Sequence, residues 1–144
     1  MTVAAILKHK GFTVTSVFPT ATIAEVALVL ADRRIGAVPV IDRADQLLGI
    51  VSERDIVRSL AANAARTLEM TAGQLMTRSL QVAHPSTSVA EAMRMMTEGR
   101  FRHLPVMEKD RLVGLISIGD VVKARIIQQD TEVDSLKAYV TGSA

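Results

Sequence analysis

Two stretches of this chain follow one pattern: Gly36 to Asp55, GAVPVIDRADQLLGIVSERD, and Arg102 to Asp120, RHLPVMEKDRLVGLISIGD. Each runs from an apolar residue through Pro-Val and a charged turn to an apolar run with Gly, then Ser-x-x-Asp. Pro39 and Pro105 lie 66 positions apart, and Ser52 and Ser117 lie 65 apart, so the second turn is one residue shorter. Upstream, Pro19 to Glu25 (PTATIAE) answers Pro85 to Glu91 (PSTSVAE) at the same distance of 66. An internal repeat constrains a fold more than any composition. Two copies of this length are too few and too long for a solenoid. They predict two similar half-domains, residues 1–66 and 67–144, packed face to face, the second carrying an additional C-terminal helix.

The core available to them is aliphatic, because hydrophobic residues make up 49% of the chain and aromatic residues 3%. This suits a Val-rich sheet covered by Ala-rich helices, an α/β (α+β) class. The methionines at 93, 95, 96 and 107 fall on a predicted helix and strand, and read as adaptable packing residues. With no Trp and a single Tyr139, no stacking platform for single-stranded nucleic acid is expected. Net charge is +2 with the signs interspersed, which argues against a polybasic arm for nucleic acid or membrane. There is no Cys, hence no thiolate chemistry. The N-terminal apolar run is too short for a signal peptide, and no segment approaches the ~18–20 apolar residues of a membrane span. The expectation is a soluble, cytoplasmic protein.

Spacing and caps set the elements. Val3, Ile6 and Leu7 share one side of a helix that Gly11 stops. Thr13 to Val17 and Leu80 to Ala83 read as strands, each closed by a proline. Thr22-x-x-Glu25 and Ser88-x-x-Glu91 are capping boxes that open helices, ending near Arg33 or Arg34 and at Gly99. Ala37 to Ile41 and Leu47 to Val51 are strands, as are His103 to Met107 and Leu112 to Ser117. Ser52 caps a helix to about Ala62, and Thr71 a short turn. A last helix starts near Ile118 and runs towards Ile127, with an extension to Tyr139 as the longer alternative, and Thr141 to Ala144 should fray. Asn63 to Met70 reads as a linker. Each unit is thus β-α-β-β-α.

Ser52 and Ser117 each end an apolar strand and start a helix, where unpaired N–H groups and the dipole favour phosphate. Asp55 and Asp120 lie at the same mouth, and a carboxylate can accept from two adjacent ribose hydroxyls. Ala37-Val38 and His103-Leu104 offer apolar and backbone groups for a base. Pro39 and Pro105 lack an N–H, so strand pairing is interrupted and an opening is expected there. Together these describe a site for a nucleoside phosphate. Ser-x-x-Asp at a helix start is equally an ordinary cap, worth ~1 kcal/mol. His9, His84 and His103 show no metal-ligand spacing, and His103 has no recognisable nucleophile to activate. No P-loop and no nucleophile–base pair is present. No metal, catalytic residue or catalytic cofactor is therefore expected, and the chain is not read as an enzyme.

The whole pattern resembles a tandem CBS-domain pair, or Bateman module, of the stand-alone bacterial type. The resemblance rests on GIVSERD (Gly49 to Asp55), GLISIGD (Gly114 to Asp120), the VPV and LPV segments at Val38 and Leu104, and the leader GQLMT at Gly73. It spans about Val3 to Ile127. It implies two β-α-β-β-α repeats paired about a pseudo-twofold axis, with clefts between them for an adenosine compound: AMP, ADP, ATP, NAD or S-adenosylmethionine. It also implies a homodimer that senses energy or redox state and regulates a protein the sequence does not identify. By the resemblance Asp55 and Asp120 hold ribose, Ser52 and Ser117 sit at phosphate or ribose, and the backbones of Ala37-Val38 and His103-Leu104 meet adenine. The copies differ, since Gly36-Ala37 stands where the second has Arg102-His103, and Arg54 lies in the first helix start. The Arg102/His103 site is expected to take the more negative ligand. The other reading is a ligand-free interaction module acting as a homodimer.

Overall fold

A computed structural model describes residues 1–141. Its elements are α1 (Val3–Lys10), α2 (Ile23–Arg33), β1 (Ala37–Ile41), β2 (Leu47–Ser52), α3 (Glu53–Asn63), a 3-10 turn (Ala64–Glu69), α4 (Ala72–Leu75), α5 (Val89–Gly99), β3 (His103–Glu108), β4 (Arg111–Ser117) and α6 (Ile118–Val140). β1 pairs with β2, and β3 with β4, giving two small sheets in an α+β chain. The fraying expected of the C-terminus falls, beyond Thr141, outside the described residues.

The two expected strands before the helices are each reduced to a single parallel bridge, Val17 with Val40 and Ala83 with Val106. All four prolines of the chain explain this. Val17 N–H donates to Pro39 O (3.0 Å) and Ile41 N–H to Val17 O (3.0 Å). Extending this ladder backwards needs an N–H at residue 39, and extending it forwards needs one at residue 19; both are prolines. Ala83 N–H donates to Pro105 O (2.8 Å), and Pro105 and Pro85 bound it in the same way. The β1–β2 ladder runs through Pro39, which stands opposite Ile50, and shifts register only farther on, between Val40 and Ile41. Ile50 directs its own N–H and C=O away from β1, to Thr77 O and N at 3.1 and 2.9 Å. The interruption expected at Pro39 therefore lies on the Val17 edge.

The helices start as their caps require. Ser52, Thr71 and Ser117 form reciprocal capping boxes, whereas Thr22 and Ser88 only accept from the N–H of Glu25 and Glu91. α2 and α5 each end on an arginine in the left-handed region, Arg34 (φ 54°) and Arg100 (φ 56°). Gly99 is not the stop but the last helical residue. A Cβ there would lie 2.1 Å from the Phe101 ring, so any larger residue would have to displace that ring.

The chain forms two compact units: Thr13–Gln81 with the hairpin tip Met107–Val113, and Met1–Phe12 with Val82–Val106 and the described residues from Gly114 on. In the first, Ile23, Val26, Leu30, Val38, Val40, Val51 and Ile56 are buried together with Ala72 and Met76. In the second, Val3, Leu7, Val89, Leu104, Val106, Ile116 and Val121 have almost no exposure. Of the four methionines on α5 and β3, Met96 is buried in this unit, and Met93, Met95 and Met107 are half-buried.

Each unit has a leader helix held by equivalent bonds, and the leaders are crossed over. Ala72 N–H donates to Ala21 O (2.8 Å) and Gly73 N–H to Pro19 O (2.9 Å), so α4 leads the unit whose helix is α2. Val3 N–H donates to Thr87 O (2.8 Å) and Ala4 N–H to Pro85 O (2.9 Å), the same places 66 residues on. α1 thus leads the unit built from the second repeat.

Candidate functional site

β2 delivers Ser52 to the start of α3 in extended backbone (φ −112°, ψ 163°). Glu53 N–H donates to Gly36 O (2.9 Å), which ties the helix start to the residue preceding β1. Asp55 N–H donates to Ser52 Oγ (3.3 Å), while Ser52 N–H and Oγ–H both donate to Asp55 Oδ2 (2.8 and 2.9 Å). The second unit builds the same corner. Ile118 N–H donates to Arg102 O (2.8 Å), Asp120 N–H to Ser117 Oγ (3.1 Å) and Ser117 N–H to Asp120 Oδ2 (2.8 Å). Both Ser-x-x-Asp motifs are therefore working caps. Each cap uses Oδ2, and neither Oδ1 has a hydrogen-bond partner among the described residues.

The first unit brings together Gly36, Ala37, Val38, Pro39, Ser52, Arg54 and Asp55, and the second Arg102, His103, Leu104, Pro105, Ser117 and Asp120. Their exposure sorts them. Ala37, Val38, Pro39, Leu104 and Pro105 are buried, so these positions offer a ligand backbone rather than side chain. Arg54 and Arg102 are exposed, and Gly36, Ser52, Asp55, His103, Ser117 and Asp120 are half-buried.

One participant was not anticipated from the sequence. Lys10, the last residue of α1, donates to Asp120 Oδ2 (2.7 Å) and to Leu115 O (2.9 Å). Burial pushes the Asp120 carboxyl up, but the Lys10 and Ser117 hydrogen bonds and the lysine charge outweigh it, leaving the group below its ordinary value. In the first unit Ser52 is the only hydrogen-bond partner of the Asp55 carboxylate among the described residues. The leaders explain the difference, since α1 has eight residues and α4 four. Repeat alignment alone pairs Lys10 with Met76 and gives no hint of a cation at Asp120. A signal was present in the leaders, had α1 been matched to α4 and assigned to the second repeat.

No group of three His, Asp or Glu side chains among the described residues is placed to hold a metal ion, and no helix among them is long and apolar enough to cross a membrane.

A family model for the CBS domain matches residues 10–62 and again 72–127. A CBS-domain containing protein from Agrobacterium tumefaciens is 42% identical in sequence with a TM-score of 0.84, covering 87% of this chain and 99% of that one. The CBS domain pair of protein MJ0100, solved with 5′-methylthioadenosine and S-adenosyl-L-methionine, is 26% identical with a TM-score of 0.77, over 86% of this chain and 98% of that one. A mitochondrial CBS domain-containing protein of Arabidopsis thaliana is 33% identical over 125 residues, 84% of this chain. The chain spans 61% of that curated relative and 63% of the next, so the likeness carries the module and not the activity of the longer proteins.

Proposed function

The chain belongs to the CBS-domain family, and on that premise we propose that it is a regulatory, non-catalytic module that binds an adenine nucleotide and senses energy or redox state through AMP, ADP, ATP or NAD(H). The two repeats, residues 1–66 and 67–144, each contribute one adenosine-binding corner. Asp55 or Asp120 receives the ribose hydroxyls on Oδ1, both of whose lone pairs are unused, since each Oδ2 already accepts two hydrogen bonds. The α3 or α6 N-terminus, with Ser52 or Ser117, faces the phosphate, and the backbone at Ala37-Val38 or His103-Leu104 faces adenine.

The observation that carries this reading is the duplicated corner. A half-buried carboxylate is held twice by the backbone N–H of the capping serine, and twice keeps an oxygen that the cap does not use. Support comes also from the relative solved with two adenosine compounds, since adenosine is the part they share with AMP, ATP and NAD. The occupied carboxylate of Asp120 favours a second reading, a ligand-free interaction module acting as a homodimer, in which Lys10 is a permanent partner.

Thermal unfolding with adenosine, AMP, ADP, ATP, NAD, NADH and S-adenosylmethionine separates the two. A ligand at a hundred times its Kd stabilises the native state by ~2.7 kcal/mol, several degrees for a chain of this size. The expected result is a selective shift, reduced in Asp55→Asn or Asp120→Asn when each variant is referred to its own ligand-free Tm. Arg102→Ala is expected to weaken ATP and ADP more than adenosine, and equal losses for all three would remove Arg102 from the phosphate. A flat panel at millimolar concentration establishes the interaction module instead.

A further inference from the structure

α6 is 23 residues long, but only its first half is covered. Val121 and Ala124 are buried and Gln128 is half-buried, all on one face. From Gln129 to Lys137 every residue is exposed. A segment of this length standing alone is marginal as a helix in water, so its persistence calls for a partner along its length.

A second face of α6, turned away from Val121, Ala124 and Gln128, has a definite pattern. Val122, Ile126, Gln129, Val133, Leu136 and Val140 follow one another at intervals of 4, 3, 4, 3 and 4 residues. That is the heptad spacing of a coiled-coil seam, with Ile126, Val133 and Val140 at a and Val122, Gln129 and Leu136 at d. The apolar members are 43 to 76% exposed. β-branched residues at every a and Leu at a d position are the combination that favours two parallel strands.

We propose that residues 122–140 form a parallel two-stranded coiled coil with the same residues of a second copy of this chain. The flanking charges fit that partner. In a parallel pair each g residue faces the e residue five positions later in the other strand. Arg125 at g then meets Asp130 of the second copy, and Glu132 meets Lys137 of the second copy, opposite signs in both cases. An antiparallel pair can also match these charges, but in that register it sets Gln129 against Val133 of the other strand. The parallel pair sets Gln129 against Gln129, where the two amides satisfy each other instead of being buried unpaired. This assignment is independent of the adenosine reading and stands or falls without it.

Sedimentation equilibrium of the full chain over a micromolar range gives the dimer Kd. Leu136→Lys, at a position 63% exposed in one copy, leaves the fold intact and is expected to raise that Kd on the order of 100-fold, since two leucines lose their burial. Glu132→Lys places like charges together and is expected to weaken pairing about three- to tenfold, and adding Lys137→Glu to it restores the affinity. Orientation is read by cross-linking, which the absence of cysteine makes clean. Under mild oxidation Leu136→Cys should give a covalent dimer at least tenfold faster than Ser135→Cys, which points off the seam. A monomer at all concentrations, a dimer that Leu136→Lys does not weaken, or equal cross-linking of the two cysteine variants would each overturn the proposal.

Discussion

The two Ser-x-x-Asp corners are close copies in backbone and differ in charge. At Ser52 the carboxylate of Asp55 is held by the serine alone, through its N–H and its hydroxyl. At Ser117 the carboxylate of Asp120 shares the serine N–H with an ammonium 2.7 Å away, brought by a helix more than a hundred residues earlier in the chain. Duplication preserved the cap, which is local, and let the third partner diverge, because that partner comes from a separate leader. On the proposed function the corners then offer different terms. A ligand at Asp55 meets a carboxylate with an oxygen to spare, and one at Asp120 meets a carboxylate already partly neutralised beside a cation suited to phosphate.

The largest contrast expected between the copies lies at the glycines that admit the leaders. A Cβ at residue 49 would sit 2.7 Å from the backbone oxygen of Thr77, and at residue 114 it would sit 2.5 Å from the end of the Leu7 side chain. Backbone cannot yield as a leucine methyl can. Gly49→Ala is therefore expected to cost about 3 kcal/mol and Gly114→Ala about 1 kcal/mol in urea unfolding. Equal costs would mean that Leu7 is as fixed as the Thr77 carbonyl.

Next come the caps. Ser52→Ala and Ser117→Ala should each lose about 1 kcal/mol, Ser52→Ala the more because its hydroxyl also donates to Asp55 Oδ2. A Ser117→Ala variant as stable as the parent would show that the residue-117 backbone N–H and Lys10 hold Asp120 without help from the hydroxyl.

The smallest effect is expected at Lys10. The ion pair is 41% exposed at the lysine, so Lys10→Met should cost only about 0.5 kcal/mol near neutral pH. Its pH dependence is the sharper test. Because the folded-state value of Asp120 is depressed, the stability it contributes is present above the unfolded value near 4 and is lost as pH falls through the folded value. The gap between parent and Lys10→Met should therefore be full at pH 6 and close below pH 4. A gap constant down to pH 2 would mean that the lysine acts by packing and not by charge.

Much of this was legible in the sequence, for identifiable reasons. β1, β2, β3, β4 and α1 to α6 follow from apolar spacing and from Thr22, Ser52, Thr71, Ser88 and Ser117, because caps and amphipathic faces are local signals. The capping of Ser52 and Ser117 was legible on the same ground. Three features were not. The strands expected at Thr13 and Leu80 depend on which donors their neighbours lack, and that appears only once Val17 is set against Pro39 and Ile41. The linker at Asn63 is a 3-10 turn anchored by fully buried Thr67, whose hydroxyl pairs with buried Ser59 at 2.8 Å, a contact eight residues apart that no periodicity announces. The Lys10–Asp120 pair joins residues 110 apart and required knowing to which repeat α1 belongs.

The crossing of the leaders has a consequence for how the chain is made. The first unit's α2 to α4 leave the ribosome close together, its leader soon after the strands it serves, and only the hairpin tip Met107–Val113 follows later. For the second unit the order is reversed. α1 is synthesised early, yet Pro85, Thr87 and Asp120, the groups that hold it, follow far behind. Until they emerge, its buried face of Val3, Ile6 and Leu7 has nothing to cover it. That contact has a high sequence separation and closes late, so the second unit should fold more slowly than the first and depend more on what shields α1 in the interval.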